Sequence, residues 1–160
     1  MVLRQLWAPW RLEYIQSADE QDACIFCRAH GLDDEAGLVV HRGELAFVLL
    51  NRFPYASGHL MVAPYRHEGE LGGLAAEEAL EIHGLTATGV GVLGAVMGPH
   101  GFNLGWNLGR IAGAGIVDHV HQHVVPRWAG DTNFMPVLAD VKVMPEALES
   151  TRRKLAEAWP

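Results

Sequence analysis

Apolar and polar positions change period several times along the chain, and each change marks an element. Leu38-Val39-Val40-His41 and Ala46-Phe47-Val48-Leu49-Leu50 flank a turn at Arg42-Gly43-Glu44, which predicts an antiparallel hairpin. Asn51 to Ser57 contains Pro54 and has polar ends, so it reads as a loop, and Gly58-His59-Leu60-Met61-Val62-Ala63 follows as a strand stopped by Pro64. From Leu74 through Leu80, Leu85 and Val92 to Val96 the apolar spacing approaches 3.6, the period of a long helix. Gly84, Gly89, Gly91 and Gly94 each weaken that helix by about 1 kcal/mol against alanine, which is tolerable where it packs closely on the sheet or on another helix. Gly101 to Leu108 alternates as a strand, 109–115 is a glycine-rich loop, and an amphipathic helix is expected over 145–159 with Pro145 in its first turn. Residues 1–20 carry Trp7, Pro9, Trp10 and Tyr14 with Arg4 and Arg11, the composition of an arm that packs on the domain or across a subunit interface. No repeat or linker divides the chain, so 1–160 is read as a single domain.

One stretch stands apart. Asp118-His119-Val120-His121-Gln122-His123-Val124-Val125-Pro126-Arg127-Trp128 sets three histidines at alternate positions, and on a strand that period points all three imidazoles the same way. Buried together in a dry core they would lose about 1–3 kcal/mol for every unsatisfied polar group, so burial of all three is not expected. A half-exposed strand with a His-rich polar face would satisfy the pattern, as would a site where imidazoles meet a phosphate, a metal or a reacting proton. With only nine histidines in the chain, chance alternation of three is rare, which favours the site.

Composition narrows the setting. A chain of 160 residues, 49% hydrophobic and 19% charged, has the make-up of one compact domain. The longest apolar runs, such as Leu45 to Leu50, fall short of the ~20 residues of a membrane span, and no signal peptide opens the sequence, so a cytoplasmic protein with no membrane partner is expected. The net charge of −7, with no basic cluster beyond Arg152-Arg153-Lys154, offers nucleic acid no electrostatic footprint. An anionic ligand must therefore be held by local groups. Cys24 and Cys27 form one Cys-x-x-Cys, which without secretory features is a redox pair, half of a metal site, or two buried apolar cysteines rather than a structural disulfide. The redox reading is weak, because the motif lies between polar residues 17–23 and a short helical patch, Ile25 to His30. A zinc site would need two more ligands, and histidine is the plentiful candidate.

The chemistry follows from the residue types. A phosphate ester or anhydride lying over the histidine row would meet the central His121 at phosphorus, with His119 and His123 donating to phosphate oxygens or to the leaving group. A neutral, oriented imidazole splits one hard displacement into two easier ones through a phosphoramidate, and a backbone carbonyl on its far nitrogen would do the orienting. Glycines of the preceding loop, Gly113 and Gly115 among them, let backbone N–H groups approach an anion. No cofactor is required by this chemistry.

His119-Val120-His121-Gln122-His123-Val124-Val125 matches the pattern His-x-His-x-His followed by two apolar residues, and Asn51 with Gly58-His59-Leu60-Met61-Val62-Ala63-Pro64 resembles its companion motif. On these residues the chain resembles the histidine-triad (HIT) superfamily from about Cys24 to Trp128. Leu6-Trp7-Ala8-Pro9-Trp10-Arg11 and the segment 107–133 further resemble the bacterial branch of diadenosine tetraphosphate phosphorylases. The resemblance implies an α+β fold with an antiparallel sheet, a long helix and a C-terminal helix, and subunits paired through the long helix and a sheet edge as a homodimer or larger homo-oligomer. It implies that His121 attacks the α-phosphorus of a nucleotide substrate to form a nucleotidyl-histidine, accompanied by His119, His123 and His59. Asn51 then matches the ribose-binding position, Asn107 the phosphate-contacting asparagine, and Phe26, Phe47 and Leu49 walls of a base pocket.

Two departures bear on function. Hydrolytic members often carry Gln or Ser shortly before the triad, whereas Ala114-Gly115-Ile116 stands here. A pocket with no side chain to position water has room for inorganic phosphate, which favours phosphorolysis of dinucleoside polyphosphates over their hydrolysis; a non-catalytic nucleotide-binding protein is the remaining alternative. Cys24, Cys27, His67 and His119 also resemble the zinc set of some bacterial triad proteins, a closed structural site, with a simple core role for the cysteines left open.

Overall fold

The computed structural model describes residues 24–131 and 144–160, so the expected arm at 1–20 lies outside the described residues. Helix α1 covers Ile25–Gly31 and is followed by strands β1 (Val39–Arg42), β2 (Ala46–Leu50) and β3 (Leu60–Pro64). After these come the long helix α2 (Ala76–Met97), strands β4 (Gly101–Trp106) and β5 (Gln122–Arg127), and the last helix α3 (Leu148–Glu157). The strands form one antiparallel sheet in the order β1-β2-β3-β5-β4. This is the α+β architecture expected from the sequence.

Every residue of β2 and β3 is buried, because both faces of the central sheet are covered. Alternation divides their side chains. Ala46, Val48, Leu50, Leu60 and Val62 pack under Ile82, Val92 and Leu93 of α2 and Leu155 of α3. Phe47, Leu49, Met61 and Ala63 face the other way and pack with Phe26 and Ala29 of α1. The sheet is thus held against α2 and α3 on one side, and its opposite face carries α1 and, as shown below, the histidines.

Helix α2 is as long as its pattern implied, and only one of the four glycines answers the close-packing expectation. A Cβ on Gly89 would lie 3.3 Å from Leu60 and 3.5 Å from Trp159, while Gly84, Gly91 and Gly94 face open space. Averaged over its length the helix is apolar enough to cross a membrane, although no unbroken apolar run suggested it. Its buried residues Ile82, Thr86, Gly89 and Leu93 recur at helical spacing and seat one face on the sheet, as in a core helix. The last helix starts later than expected. Ala147, not Pro145, precedes its first turn, and Glu146 turns back to accept from Thr151 Oγ1 at 3.0 Å and from Lys154.

Glutamates tie α2 to the loops. Glu81 accepts the Leu45 and Ala46 N–H groups and so holds the β1–β2 turn. Glu78 accepts the Ala75 N–H at 2.8 Å and two guanidinium contacts from Arg66, at 3.1 and 2.7 Å. The Arg66 hydrogen bonds hold the Glu78 carboxyl below its ordinary value. A lowered carboxylate pKa contributes stability that is complete above the unfolded value and is lost as pH falls through the folded one. Glu78→Gln is therefore expected to cost about 1 kcal/mol at neutral pH, discounted for the half-exposed arginine, and to flatten the loss of stability below the ordinary carboxylate range. Urea denaturation of both proteins at several pH values checks this; parallel pH profiles would refute it.

Candidate active site and metal-binding group

Pairing of β3 with β5 brings the two histidine motifs together. Leu60 lies opposite Val124 and Met61 opposite His123, so His59, just ahead of β3, is the diagonal neighbour of His123 on the same face. The ordered strand begins only at Gln122, and His119 and His121 sit on the segment leading into it. All three triad imidazoles are buried, contrary to the expectation, at 0%, 6% and 9% exposure for His119, His121 and His123. Each finds a polar partner, which is why the burial is tolerable.

The partners assign the protons. His121 Nδ1 lies 2.8 Å from the His119 carbonyl oxygen, which can only accept, so Nδ1 carries the hydrogen and Nε2 keeps its lone pair. Burial pushes the His121 pKa down to about 4, leaving the ring neutral near pH 7. The Tyr55 backbone N–H donates to His59 Nδ1 at 3.0 Å, which puts the His59 proton on Nε2. That proton is donated to His123 Nδ1 at 2.9 Å, so His123 carries its own on Nε2. Asn107 Nδ2 stands 3.4 Å from this nitrogen. Two donors cannot bond, and the amide carbonyl, its near-isosteric alternative, is the group that accepts from His123. One imidazole thus offers a lone pair and its neighbour, with ring centroids 4.8 Å apart, a proton.

His119 faces the other way. Its Nε2–H donates to the Pro64 carbonyl at 2.9 Å, and its Nδ1 is 3.3 Å from Cys24 Sγ and 3.7 Å from Cys27 Sγ. His67 Nδ1 lies 3.3 Å from Cys27 Sγ, and the four ligand atoms fall within 4.8 Å of one another. Bonds of ~2.0–2.3 Å would set tetrahedral ligands roughly 3.5 Å apart, so a small contraction closes the group on a cation. Burial lowers the His119 pKa and keeps it neutral, and the Pro64 bond aims its free nitrogen, as an outer partner of a metal ligand does. Burial also raises the Cys24 thiol, so the thiolate form requires a nearby positive charge. These residues gather two sulfurs and two imidazoles that could hold a metal ion.

The remaining candidates divide between cleft and core. Phe26, Asn51, Gly113, Gly115, His121 and His123 line one narrow cleft. The Phe26 ring lies 4.5 Å from His121 and 5.0 Å from His119, and Asn51 Oδ1 accepts the Phe53 N–H at 2.8 Å. Gly113 has φ +91°, a left-handed conformation that needs glycine. Phe47 and Leu49 stand in the core cluster behind Phe26 rather than on the cleft wall, at 0% and 4% exposure. At the end of β5, the half-exposed Arg127 pairs with Asp131 at 2.6 Å. Sequence reasoning missed Ile25, Phe53, Tyr55 and Met61 in the cleft and the orienting Pro64 carbonyl. The backbone groups leave no side-chain signal, although Pro64 already marked the end of its strand.

Residues 34–130 match the HIT domain. The chain belongs to the HIT family. It is 44% identical to the Mycobacterium tuberculosis protein named AP-4-A phosphorylase, over 98% of this chain and 85% of that one. Among solved structures it resembles a hypothetical histidine triad nucleotide-binding protein from Sulfolobus tokodaii, with a TM-score of 0.68, 23% identity, and coverage of 84% of this chain and 91% of that one. A zinc-bound histidine triad family protein from Mycobacterium smegmatis aligns with a TM-score of 0.66 and 23% identity over 86% of this chain and 93% of its own. At those identities the two structures establish the fold.

The burial of His121 has a spectroscopic consequence. In nitrogen-15 spectra His121 is expected to remain neutral and protonated on Nδ1 as pH falls past the usual histidine range, titrating near 4. Titration at the ordinary value would show that the ring is solvated and not held by His119.

Proposed function

We propose that this HIT protein is a nucleotidyl transferase of the phosphorylase kind, acting on dinucleoside polyphosphates of the diadenosine tetraphosphate type with inorganic phosphate as acceptor. The observation that carries the reading is the carbonyl-oriented, neutral His121 in a chain 44% identical to a named AP-4-A phosphorylase over almost its whole length. His121 Nε2 attacks the α-phosphorus, the bond to the bridging oxygen breaks, and that oxygen departs with the nucleoside polyphosphate anion while accepting a hydrogen bond from His123 Nε2–H. Phosphate then attacks the nucleotidyl-histidine, and nucleoside diphosphate and free His121 result. Asn51 binds the ribose, Asn107 a phosphate oxygen, Phe26 the base, and the Gly113–Gly115 backbone the developing charge.

The metal proposed for Cys24, Cys27, His67 and His119 is zinc in a structural role, supported by the soft donors and their closed arrangement. A second copy of the chain is proposed to cover α2 and the β4 edge. Leu80 at 73% exposure, Leu104 at 51% and the open glycines of α2 support that surface. A cytoplasmic location belongs to the same proposal and is in keeping with two reduced cysteines side by side.

Incubated with diadenosine tetraphosphate, the protein is expected to release ADP and ATP with phosphate present. AMP and ATP, equally with and without phosphate, would mean that water is the acceptor. His121→Asn is expected to lose at least ~10³-fold in turnover while still binding AMP, since removing a nucleophile abolishes the covalent route. Turnover like that of the wild type would refute the mechanism. The purified chain is expected to hold about one zinc by elemental analysis, and Cys27→Ala to hold none and to melt at lower temperature; equal zinc contents would refute the site.

A further inference from the structure

A second, larger cavity adjoins the cleft on its His123 side. It has a volume of about 580 Å³ and is bounded by Tyr55 and Ser57 of the β2–β3 loop, Met97 at the end of α2, Trp128 past β5, and Glu146 and Lys154 of the C-terminal segment. Tyr55 is the residue common to both spaces. Its ring stacks on His59 at 4.9 Å and 18°, meets His123 edge-on at 6.1 Å, and the residue keeps 37% of its surface exposed. The histidine row therefore has a direction. Phe26 stands against His119 and His121, and Tyr55 stands at the other end against His59 and His123.

That direction fixes where the two halves of a substrate go. With the attacked phosphorus at His121 and the departing oxygen at His123, the transferred nucleotide lies on the Phe26 side and the leaving group points at Tyr55. Resting on the proposed transferase reading, we infer that this second cavity is the subsite for the leaving nucleoside and that Tyr55 is a specificity-determining residue on which its base stacks. The volume suits a nucleoside, being within the range of small-ligand pockets. The lining suits a neutral, flat group better than phosphate: Met97, Tyr55 and Trp128 supply apolar and aromatic surface, while the Lys154 ammonium is already paired with Glu146. A free triphosphate would meet no unpaired cation among these residues, and a base would meet an aromatic face and polar edges. The structure thus favours dinucleoside polyphosphates over mononucleoside polyphosphates through the group that leaves, separately from the recognition of the group that is transferred.

The test compares two substrates that share the attacked nucleotide and differ in the leaving group, diadenosine tetraphosphate and adenosine 5′-tetraphosphate. Two variants are used: Tyr55→Leu, which removes the ring, and Ser57→Trp, which fills the cavity away from the histidines. In both, the ratio of kcat/KM for the dinucleotide to that for the mononucleotide is expected to fall about tenfold or more, the scale of a lost base-on-aromatic stack. A ratio within twofold of wild type in either folded variant overturns the inference, even where both rates drop, since a common drop means that Tyr55 acts only by holding His59. Calorimetry of ATP binding gives a readout apart from turnover: Ser57→Trp is expected to weaken it about tenfold, and unchanged ATP binding counts against the subsite. If wild type transfers a nucleotidyl group from neither compound, the transferase reading fails first and the subsite with it.

Discussion

The contact on which the rest depends is the 2.8 Å hydrogen bond from His121 Nδ1 to the carbonyl of His119. It selects the tautomer that leaves a lone pair on Nε2, and it holds the ring in a place where burial keeps it neutral. A backbone carbonyl is a good orienter only if its own peptide is fixed. Here the residue that owns it is anchored by its side chain, through Nε2 to the Pro64 carbonyl and through Nδ1 to the two thiols. The Val120 N–H, donated to the Glu68 carbonyl at 2.6 Å, pins that same peptide to the loop that carries His67. The Cys24–Cys27–His67–His119 cluster and the His121 ring are therefore two ends of one short, braced segment.

The same segment explains how four imidazoles can be buried together. Unpaired, each would forfeit the desolvation cost of a polar group. Backbone groups supply most of what is needed: the Tyr55 N–H for His59, the His119 carbonyl for His121 and the Pro64 carbonyl for His119. His59 and His123 satisfy each other, which is possible only because the Tyr55 N–H has already chosen the tautomer of the first. A chain of single-donor, single-acceptor rings has just one consistent proton arrangement once its ends are set by groups that cannot change role. The site is preorganised by that logic rather than by charge.

Much of this was legible because the patterns were local. The hairpin, the β3 strand ending at Pro64 and the helix over Ala76–Met97 each follow from a period and a stop signal. The histidine alternation marked the residues that the fold gathers at the cleft, and Cys24 and Cys27 pointed to a cluster that the fold completes with His67 and His119. What the pattern could not convey is that His119 and His121 precede the ordered strand, so that equal spacing hides unequal surroundings. Nor could it separate Phe26, on the cleft, from Phe47, buried behind it and stacked on Tyr65 at 5.2 Å, since both are aromatic residues in apolar stretches. Burial of the imidazoles was misjudged for one reason. Several of their partners are main-chain groups, which have no letter in a sequence, and the rest are side chains brought together only by the fold.

The glycine loop before the triad matters for what it lacks. Ala114 is buried at 6% exposure, and its N–H is already given to the Gly109 carbonyl at 3.3 Å, so neither its side chain nor its N–H offers the acceptor a hydrogen-bond donor. Gly113 and Gly115 line the cleft with main chain alone. On the proposed reading, an acceptor approaching the nucleotidyl-histidine thus meets small, neutral walls on the glycine-loop side. Water held in such a space has few partners to aim it, whereas phosphate brings its own oxygens and can bond to several donors at once. Selection of the acceptor then turns on which molecule needs least help from the protein, and a wall of alanine and glycine favours the one that is the larger and the richer in hydrogen-bonding groups.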